Sequence, residues 1–229
     1  MSVNDTPEDV RTVVLNERQK SILQSVGLSE EYEELSYFQQ KGIVEIEHML
    51  SYLETKYDKE FQYRGYSNGV YERKWLEACA VGEIPETDSF RVSVAEDGSY
   101  SDDYPWITYR RIYDAYLKEM IGEICGQKNV KVFTINGKTD LDDVRDLSVE
   151  RIKGHLWACT TIFLFDCDTE MVRTIFEKYI EWNKQNAIRG QGLIGLIEDK
   201  NDWDGLSRVN CSKYNCRLKE KLRSTFGDM

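Results

Sequence analysis

The clearest pattern of hydrophobic and polar positions in this chain lies between Glu33 and Phe61. Five side chains in that stretch recur at alternating spacings of three and four: Ile43, Ile46, Leu50, Leu53 and Tyr57. This spacing places them on one stripe of an α-helix, and the stripe must be buried against another element. Ser36 followed by Gln39 has the form of a capping box and predicts where the helix begins. Because the stripe lasts only about two heptads, it indicates a core helix and not a coiled coil.

After this helix, the spacing of the hydrophobic residues changes from the helical period to the alternation that is typical of β-strands. An aromatic-rich strand begins at Phe61, and residues 74–81 and 90–94 read as two further strands separated by turn signals. A sheet with one apolar face needs a cover, so we expect a three-stranded antiparallel meander packed on the long helix. A preceding helix is predicted to start at Thr6-Pro7 and to end at about Val26.

The remaining chain alternates helical and strand patterns. The predicted elements are a helix opening at residues 101–105 and ending at Gly126, strands at 130–135, 156–165 and 193–197, a helix at about 169–186, and a final helix at 216–226. The fold class is therefore predicted to be α+β. N-terminal helices pack on an antiparallel meander, and a smaller α/β part with a central buried strand and a covering helix follows.

The acid-rich segment 137–150 is the predicted boundary or linker between parts. It separates a helical and antiparallel-sheet part, residues 1–136, from a smaller β-α-β part with a basic C-terminal helix, residues 151–229. One continuous domain over the whole chain is the alternative, since 229 residues fit either arrangement.

The charge balance bears on the class of partner. Acidic residues outnumber basic residues by 41 to 30, which gives a net charge of -11. An acidic surface repels nucleic acid and anionic lipid, so we expect a basic protein partner and neither nucleic acid nor membrane. The chain has no apolar run long enough to span a bilayer and no signal-peptide pattern at its start, so we expect a cytoplasmic protein with reduced cysteines.

Two motifs match known signatures only in part. Residues 190–195, GQGLIG, match the letters GxGxxG, but here a helix precedes the glycines and a strand follows them, the reverse of a dinucleotide-binding site. Residues 163–169, FLFDCDT, resemble the strand-end DxDx(T/V) signature of haloacid-dehalogenase-type phosphatases, in which the first aspartate is the nucleophile and the second an acid/base. The threonine stands one position early, with Glu170 in its place, so a helix cap at Asp168 or Thr169 is the favoured interpretation.

Metal and nucleophile patterns are equally incomplete. Residues 199–205, DKNDWDG, are rich in oxygen ligands but place Trp203 and Asp204 where an EF-hand needs a ligand and glycine. Cys211 and Cys216 lack the second ligand pair of a zinc site, and the chain has two histidines, His48 and His155. We therefore predict no catalytic residue, no metal ligand and no cofactor, and the chain is more simply explained as a binding protein than as an enzyme.

The candidate contact residues combine aromatic and acidic side chains, because tyrosine and tryptophan anchor protein interfaces. They are Tyr100, Asp102, Asp103, Tyr104, Trp106 and Tyr109, together with Asp140, Asp142, Asp143 and Asp146. The predicted function is recognition and neutralisation of a basic protein, as by an immunity protein or an inhibitor. The alternative is a metal-dependent enzyme or small-molecule binder that uses clustered aspartates.

Overall fold

The structure, a computed structural model, describes residues 14–69 and 74–227. Its helices are α1 (Glu17–Ser25), α2 (Tyr37–Tyr57), α3 (Pro85–Asp88), α4 (Tyr104–Cys125), α5 (Val149–Ile152), α6 (Thr169–Gln185), α7 (Lys200–Gly205) and α8 (Cys211–Tyr214). Its strands are β1 (Phe61–Ser67), β2 (Trp75–Ala80), β3 (Phe90–Val94), β4 (Tyr100–Asp102), β5 (Val130–Thr139), β6 (Leu156–Phe165), β7 (Arg189–Ile197) and β8 (Lys219–Phe226). Helices and two separate sheets make this an α+β protein, as predicted.

The chain divides into two compact units that differ from the predicted parts. The first comprises residues 1–81 and 92–101, and the second comprises residues 82–91 and 102–229. Residues 102–136, which the sequence pattern grouped with the N-terminal part, thus belong to the second unit. The acid-rich segment 137–150 lies within that unit, and β5 continues into it as far as Thr139.

The first unit is organised around α2, as the periodicity predicts. Its stripe residues are buried, with Leu50 and Leu53 fully inaccessible, and α2 packs on β1. The Gln39 side chain accepts a hydrogen bond from the Ser36 N–H at 2.8 Å, the capping box predicted from sequence. The first sheet has the order β1-β2-β3-β4, one strand more than predicted, because residues 100–102 also pair.

The N-terminal helix is shorter than expected. The predicted start at Thr6-Pro7 lies outside the described residues, and α1 begins only at Glu17. Asn16 caps it, with its side chain accepting from the Gln19 N–H at 2.8 Å while the Gln19 side chain accepts from the Asn16 N–H. The helix signal at the start of the chain therefore does not extend through residues 14–16.

The second unit contains the sheet β5-β6-β7-β8. β5 and β6 are antiparallel, β6 and β7 are parallel and joined by α6, and β7 and β8 are antiparallel. Side chains of one face, such as Val132, Ile162 and Ile194, are buried on the side of α4 and α6. On the other face, α7 and α8 cover one end of the sheet through a cluster that includes Phe163, Trp203 and Cys211.

The predicted C-terminal helix at 216–226 is wrong, because residues 219–226 form the edge strand β8. Exposed and less exposed side chains alternate along it with a period of two, which is the pattern of a strand. Its pairing partner, β7, lies more than twenty residues earlier in the chain. The prediction is wrong because this segment has no apolar helical period, and the alternation of Lys219, Lys221 and Arg223 has the spacing of a strand.

A buried charge network stabilises the second unit where α3 meets α4. Arg110 is 4% exposed, and its guanidinium donates to the Asp88 carboxylate at 2.7 Å and to the Thr87 carbonyl oxygen at 2.9 Å. Arg111 pairs with the other oxygen of Asp88 at 2.8 Å and with Glu83 at 2.7 Å. Burial acts to raise the pKa of Asp88, but the hydrogen bond and charge of Arg111 prevail, with help from Arg110, and the pKa is lowered.

Within residues 14–69 and 74–227, no helix is both long and apolar enough to cross a membrane.

Candidate functional site

Three of the predicted aromatic contact residues are buried in the second unit. Tyr104 and Tyr109 are fully inaccessible, and Trp106 is 8% exposed. The Trp106 ring packs on β5 at Gly137, where an added Cβ would lie 2.2 Å from a ring carbon. Tyr100, which belongs to the first unit, is half-buried, and its hydroxyl donates to Glu45 at 3.4 Å. These aromatic side chains stabilise the fold, and Tyr104, Trp106 and Tyr109 offer little surface to a partner.

The acidic loop after β5 is held in place by Tyr109. The Tyr109 hydroxyl lies 2.9 Å from the Asp143 carbonyl oxygen and 3.1 Å from that of Asp146, and it donates to them. Leu141 is buried beneath the loop, and Asp140 lies 2.8 Å from Nδ1 of His155. Sequence reasoning named Tyr109 and these aspartates as separate candidate contact regions, and the structure brings the Tyr109 hydroxyl into contact with the backbone of Asp143 and Asp146.

The carboxylates of this loop are only partly available for binding. Asp143 accepts hydrogen bonds from the Arg145 side chain and backbone, and these bonds lower its pKa. Asp142 and Asp146 are exposed, as is Asp103 immediately before α4. Asp102 is half-buried and accepts from the Tyr104 N–H at 3.1 Å. The predicted region thus keeps an acidic surface, but without the aromatic anchors that were expected to accompany it.

A pocket that sequence reasoning missed lies in the first unit between α1, α2 and β1. It has a volume of about 420 Å³ and mostly apolar walls. Its lining side chains include Ile22, Leu23, Val26, Leu28, Phe38, Ile43, Ile46, Tyr63 and Tyr66. Val26 is 50% exposed and Phe38 is 66% exposed, so both stand at the rim and not in the core.

Gly42 and Tyr66 both line this pocket and lie close to each other. A Cβ on Gly42 would lie 3.3 Å from the Tyr66 ring, so the glycine permits the ring to lie close against α2. Tyr66 also lines a second groove, together with Tyr32, Tyr37 and His48 among others. Burial and the charge of Glu45 raise the pKa of Tyr66 to about 12, so its hydroxyl is neutral at physiological pH.

Four glutamates lie in the connector between α1 and α2, close in sequence to residues that line the pocket. Glu30, Glu31, Glu33 and Glu34 are all exposed, and none forms an ion pair with any residue in the described ranges. They stand between Leu28, which lines the pocket, and the exposed aromatics Tyr37 and Phe38. We call these four residues the glutamate connector. The combination of aromatic and acidic surface that was predicted at residues 100–109 is found here instead.

A signal for this pocket was present in the sequence. Tyr37 and Phe38 precede the buried stripe of α2 and fall off its face, and they directly follow an acid-rich connector. Aromatic residues at helix positions outside the buried stripe are exposed once the stripe is packed. The pocket itself depends on how α1 and β1 approach α2, and that approach follows from long-range packing.

The incomplete motifs take structural roles. The glycines of GQGLIG lie in β7, where Gly192 makes room for the Tyr179 ring and Gly195 for Leu218. Asp168 caps α6 by accepting from the Met171 N–H at 2.7 Å, as the favoured interpretation predicts. Asp199 caps α7 in the same way. Within the described residues, no group of three or more histidine, cysteine or acidic side chains has the arrangement of a metal site.

Comparisons with known proteins give no family. No protein-family model matches the sequence, and no curated protein matches it. One solved structure is similar, the crystal structure of a DUF5037 family protein from Ruminococcus gnavus ATCC 29149. The two chains are 10% identical with a TM-score of 0.43, and the match covers 78% of this chain and 89% of the other. A likeness at this level carries no argument about function.

Proposed function

We propose that this chain is a non-enzymatic acidic binding protein that recognises and neutralises a basic protein, in the manner of an immunity protein or an inhibitor. The observation that carries the proposal is the apolar pocket of the first unit together with the exposed glutamate connector, which lies in the chain between the pocket residues Leu28 and Phe38. The partner's contact segment is then an apolar side chain flanked by lysine or arginine.

The apolar part of the recognition rests on Phe38 and Val26. Large exposed apolar side chains next to a concave apolar surface are typical of the centre of a protein interface, where a few buried anchors supply most of the binding energy. A pocket of about 420 Å³ is large enough to accept one aromatic or branched aliphatic side chain of a partner.

The charged part of the recognition rests on the glutamate connector. Its four glutamates are exposed, and none forms an ion pair with a described residue, so their charge is not neutralised locally. Complementary charge at the rim of an interface accelerates association and disfavours acidic competitors. The net charge of -11 adds a long-range field of the same sign.

The proposal is tested with defined peptides and the full-length chain. The probe is a synthetic peptide that carries one phenylalanine flanked by lysines, and the comparison peptides replace the phenylalanine with glycine or the lysines with glutamates. Isothermal titration calorimetry should show the first peptide binding about tenfold more tightly than either comparison peptide, a difference of about 1.4 kcal/mol. Equal affinity for the first two peptides would mean that the pocket takes no part.

Matched charge reversals assign the site. Glu31→Lys with Glu33→Lys should weaken binding of the phenylalanine peptide about tenfold, and Phe38→Ala should do the same without changing charge. Glu119→Lys with Glu123→Lys, two exposed positions on α4, changes net charge equally and should leave affinity nearly unchanged. If the two double variants weaken binding equally, attraction is due to net charge alone and the proposed site is wrong.

A further inference from the structure

The charge of the second sheet is opposite to that of the chain. Strands β5 to β8 contain six basic residues, Lys131, Lys138, Arg189, Lys219, Lys221 and Arg223, and one acidic residue, Glu220. In the whole chain, acidic residues outnumber basic ones by 41 to 30. The excess of basic residues is therefore a local feature of this sheet, which an argument from net charge does not detect.

Four of these basic side chains are available for a ligand. Lys131 donates to the carbonyl oxygens of Trp203 and Leu206, and Lys219 pairs with Glu198. Lys138, Arg189, Lys221 and Arg223 are exposed, and none of them makes an ion pair with any described residue. Unpaired cations on adjacent strands are a ready binding surface for phosphate groups.

Strand register places three of these cations on one open face. Lys138 pairs opposite Trp157, and Trp157 pairs opposite Arg189, so the three side chains form a row across three strands. In the next row, Asn136, Cys159, Gln191 and Thr225 stand side by side. Arg223 stands opposite Leu193 in the row after that. Directly opposed residues point to the same side of a sheet, and this side is the one that α4 and α6 do not cover.

The open face is concave, and it carries both stacking and hydrogen-bonding groups. A hollow of about 510 Å³ is lined by Asn136, Cys159, Gln191, Leu193, Arg223 and Thr225, among others. Trp157 is half-buried, and it lies between two cations in its row. The exposed amides of Asn136 and Gln191 can donate to or accept from the edge of a nucleobase.

We propose that this face, defined by Lys138, Trp157, Arg189, Gln191 and Arg223, binds single-stranded nucleic acid. The cations would contact the phosphates, Trp157 would stack on a base, and the amides would line the hollow that receives base edges. Single strands expose base faces for stacking, whereas a duplex presents a nearly continuous phosphate surface to which a tryptophan has no access. This activity goes beyond the proposed recognition of a basic protein, which uses residues of the other unit.

The first experiment measures fluorescence anisotropy of labelled oligonucleotides with the full-length protein. Short DNA and RNA single strands of one mixed sequence are compared with the corresponding duplex and with inorganic polyphosphate as an unlabelled competitor. We expect either single strand to bind about tenfold more tightly than the duplex, and polyphosphate to compete poorly. Preference between DNA and RNA identifies the sugar that is recognised. Failure of both single strands to bind at about 50 mM salt overturns the proposal.

Matched variants separate this face from general attraction. The double variant Arg189→Gln with Arg223→Gln should weaken binding of single strands about tenfold. It should also reduce the slope of log affinity against log salt concentration by about 1.4, because two phosphate contacts on a single strand are lost. Lys178→Gln with Lys184→Gln, at two exposed positions on α6, changes net charge equally and should leave both quantities unchanged.

Trp157→Leu tests stacking without altering charge. It should weaken single-strand binding about tenfold and leave the salt slope unchanged, because stacking releases no counterions. Circular dichroism establishes that each variant is folded. The proposal is overturned if the arginine double variant on the sheet and the lysine double variant on α6 lose equal affinity for single strands. It is also overturned if Trp157→Leu keeps full affinity, because the protein then attracts any polyanion. Peptide binding at the pocket of the first unit is measured separately, so either activity can fail alone.

Discussion

The charge of Asp88 contributes to the stability of the second unit. It is 6% exposed and accepts from Arg110, which is 4% exposed, and from Arg111. Removing one member of a buried pair leaves the other charge desolvated and uncompensated, whereas exposed pairs contribute little. Within the described residues, the buried Arg110 forms its salt bridge with Asp88, and the charge of Asp114 also favours its charged form.

Asp88→Asn is expected to lower the free energy of unfolding by about 3 kcal/mol, measured by urea titration at neutral pH. Asp143→Asn, which removes the partner of the exposed Arg145, should lower it much less, because solvent screens this pair. Asp88→Asn with Arg110→Met should recover part of the loss, since no charge then remains buried without a partner. A loss at Asp88 no larger than at Asp143 would contradict the assigned role.

The ion pairs of Asp88 also make the free energy of unfolding depend on pH in the acid range. The pKa of Asp88 is lowered in the folded protein, so the folded state releases this proton at a pH where the unfolded chain still binds it. Its contribution is complete above the unfolded pKa of about 4 and is lost as pH falls through the folded pKa. The stability difference between Asp88→Asn and the natural chain should accordingly shrink below about pH 4.

At the scale of single elements, the sequence predicted those with a strong period. The stripe of α2 and the apolar run of β6 have the predicted character, and β6 has the predicted limits, because burial of one face or both faces leaves a direct pattern. β8 was predicted as a helix, since its basic residues carry no apolar period and its pairing with β7 is non-local.

The candidate site was predictable only in part, because local periodicity indicates which residues are buried but not which elements pack together. Tyr113 follows the helical period of α4, which indicates burial, and it is fully inaccessible; Tyr109, which was predicted to contact a partner, is equally inaccessible. The acid-rich segment was predicted as a boundary or linker, and its attachment through the Tyr109 hydroxyl depends on tertiary structure. The pocket of the first unit forms where α1, α2 and β1 pack together, and no local sequence pattern predicts that packing.

Helix α6 offers a test of the cap at Asp168. The aspartate satisfies the Met171 N–H at 2.7 Å, and an N-cap side chain of this type contributes about 1 kcal/mol. Asp168→Ala should lower the free energy of unfolding by about that amount, and amides in the first turn of α6 should exchange faster with deuterium. Asp168→Asn should retain most of the stability, because asparagine is an equally good cap.

Asp166 provides the matched control for this cap. It is exposed, and its φ of 53° lies in the left-handed region that asparagine tolerates. Asp166→Asn should therefore leave both stability and exchange rates nearly unchanged. Equal effects at positions 166 and 168 would mean that loss of negative charge, and not loss of the cap, is responsible.

At the scale of the whole molecule, the tyrosines determine behaviour in alkali. Burial raises the pKa of several of them in both units: Tyr63, Tyr66, Tyr100, Tyr109, Tyr113 and Tyr179. Between the unfolded pKa of about 10 and the higher folded values, the unfolded chain releases protons that the folded protein retains. The free energy of unfolding must therefore fall as pH rises above about 10.

This fall is measurable by urea titration at a series of alkaline pH values. Tyr66→Phe should reduce its steepness between about pH 10 and the folded pKa of about 12, because one of the retained protons is then absent from both states. Tyr214→Phe serves as a comparison at a half-buried tyrosine of the second unit. A stability that stays constant or rises with pH above about 10 would contradict the assigned burial of these phenols.

The position of β8 at the edge of its sheet has a consequence for self-association. One side of this strand pairs with β7, and no described strand pairs with the other, so its outer N–H and C=O groups can accept a strand from another molecule. Lysine and arginine side chains on edge strands oppose such pairing by repelling a second copy. The triple replacement of Lys219, Lys221 and Arg223 by threonine should therefore produce concentration-dependent oligomers in size-exclusion chromatography. Replacing Lys118, Lys178 and Lys184 by threonine is the control, and it should leave the elution volume unchanged.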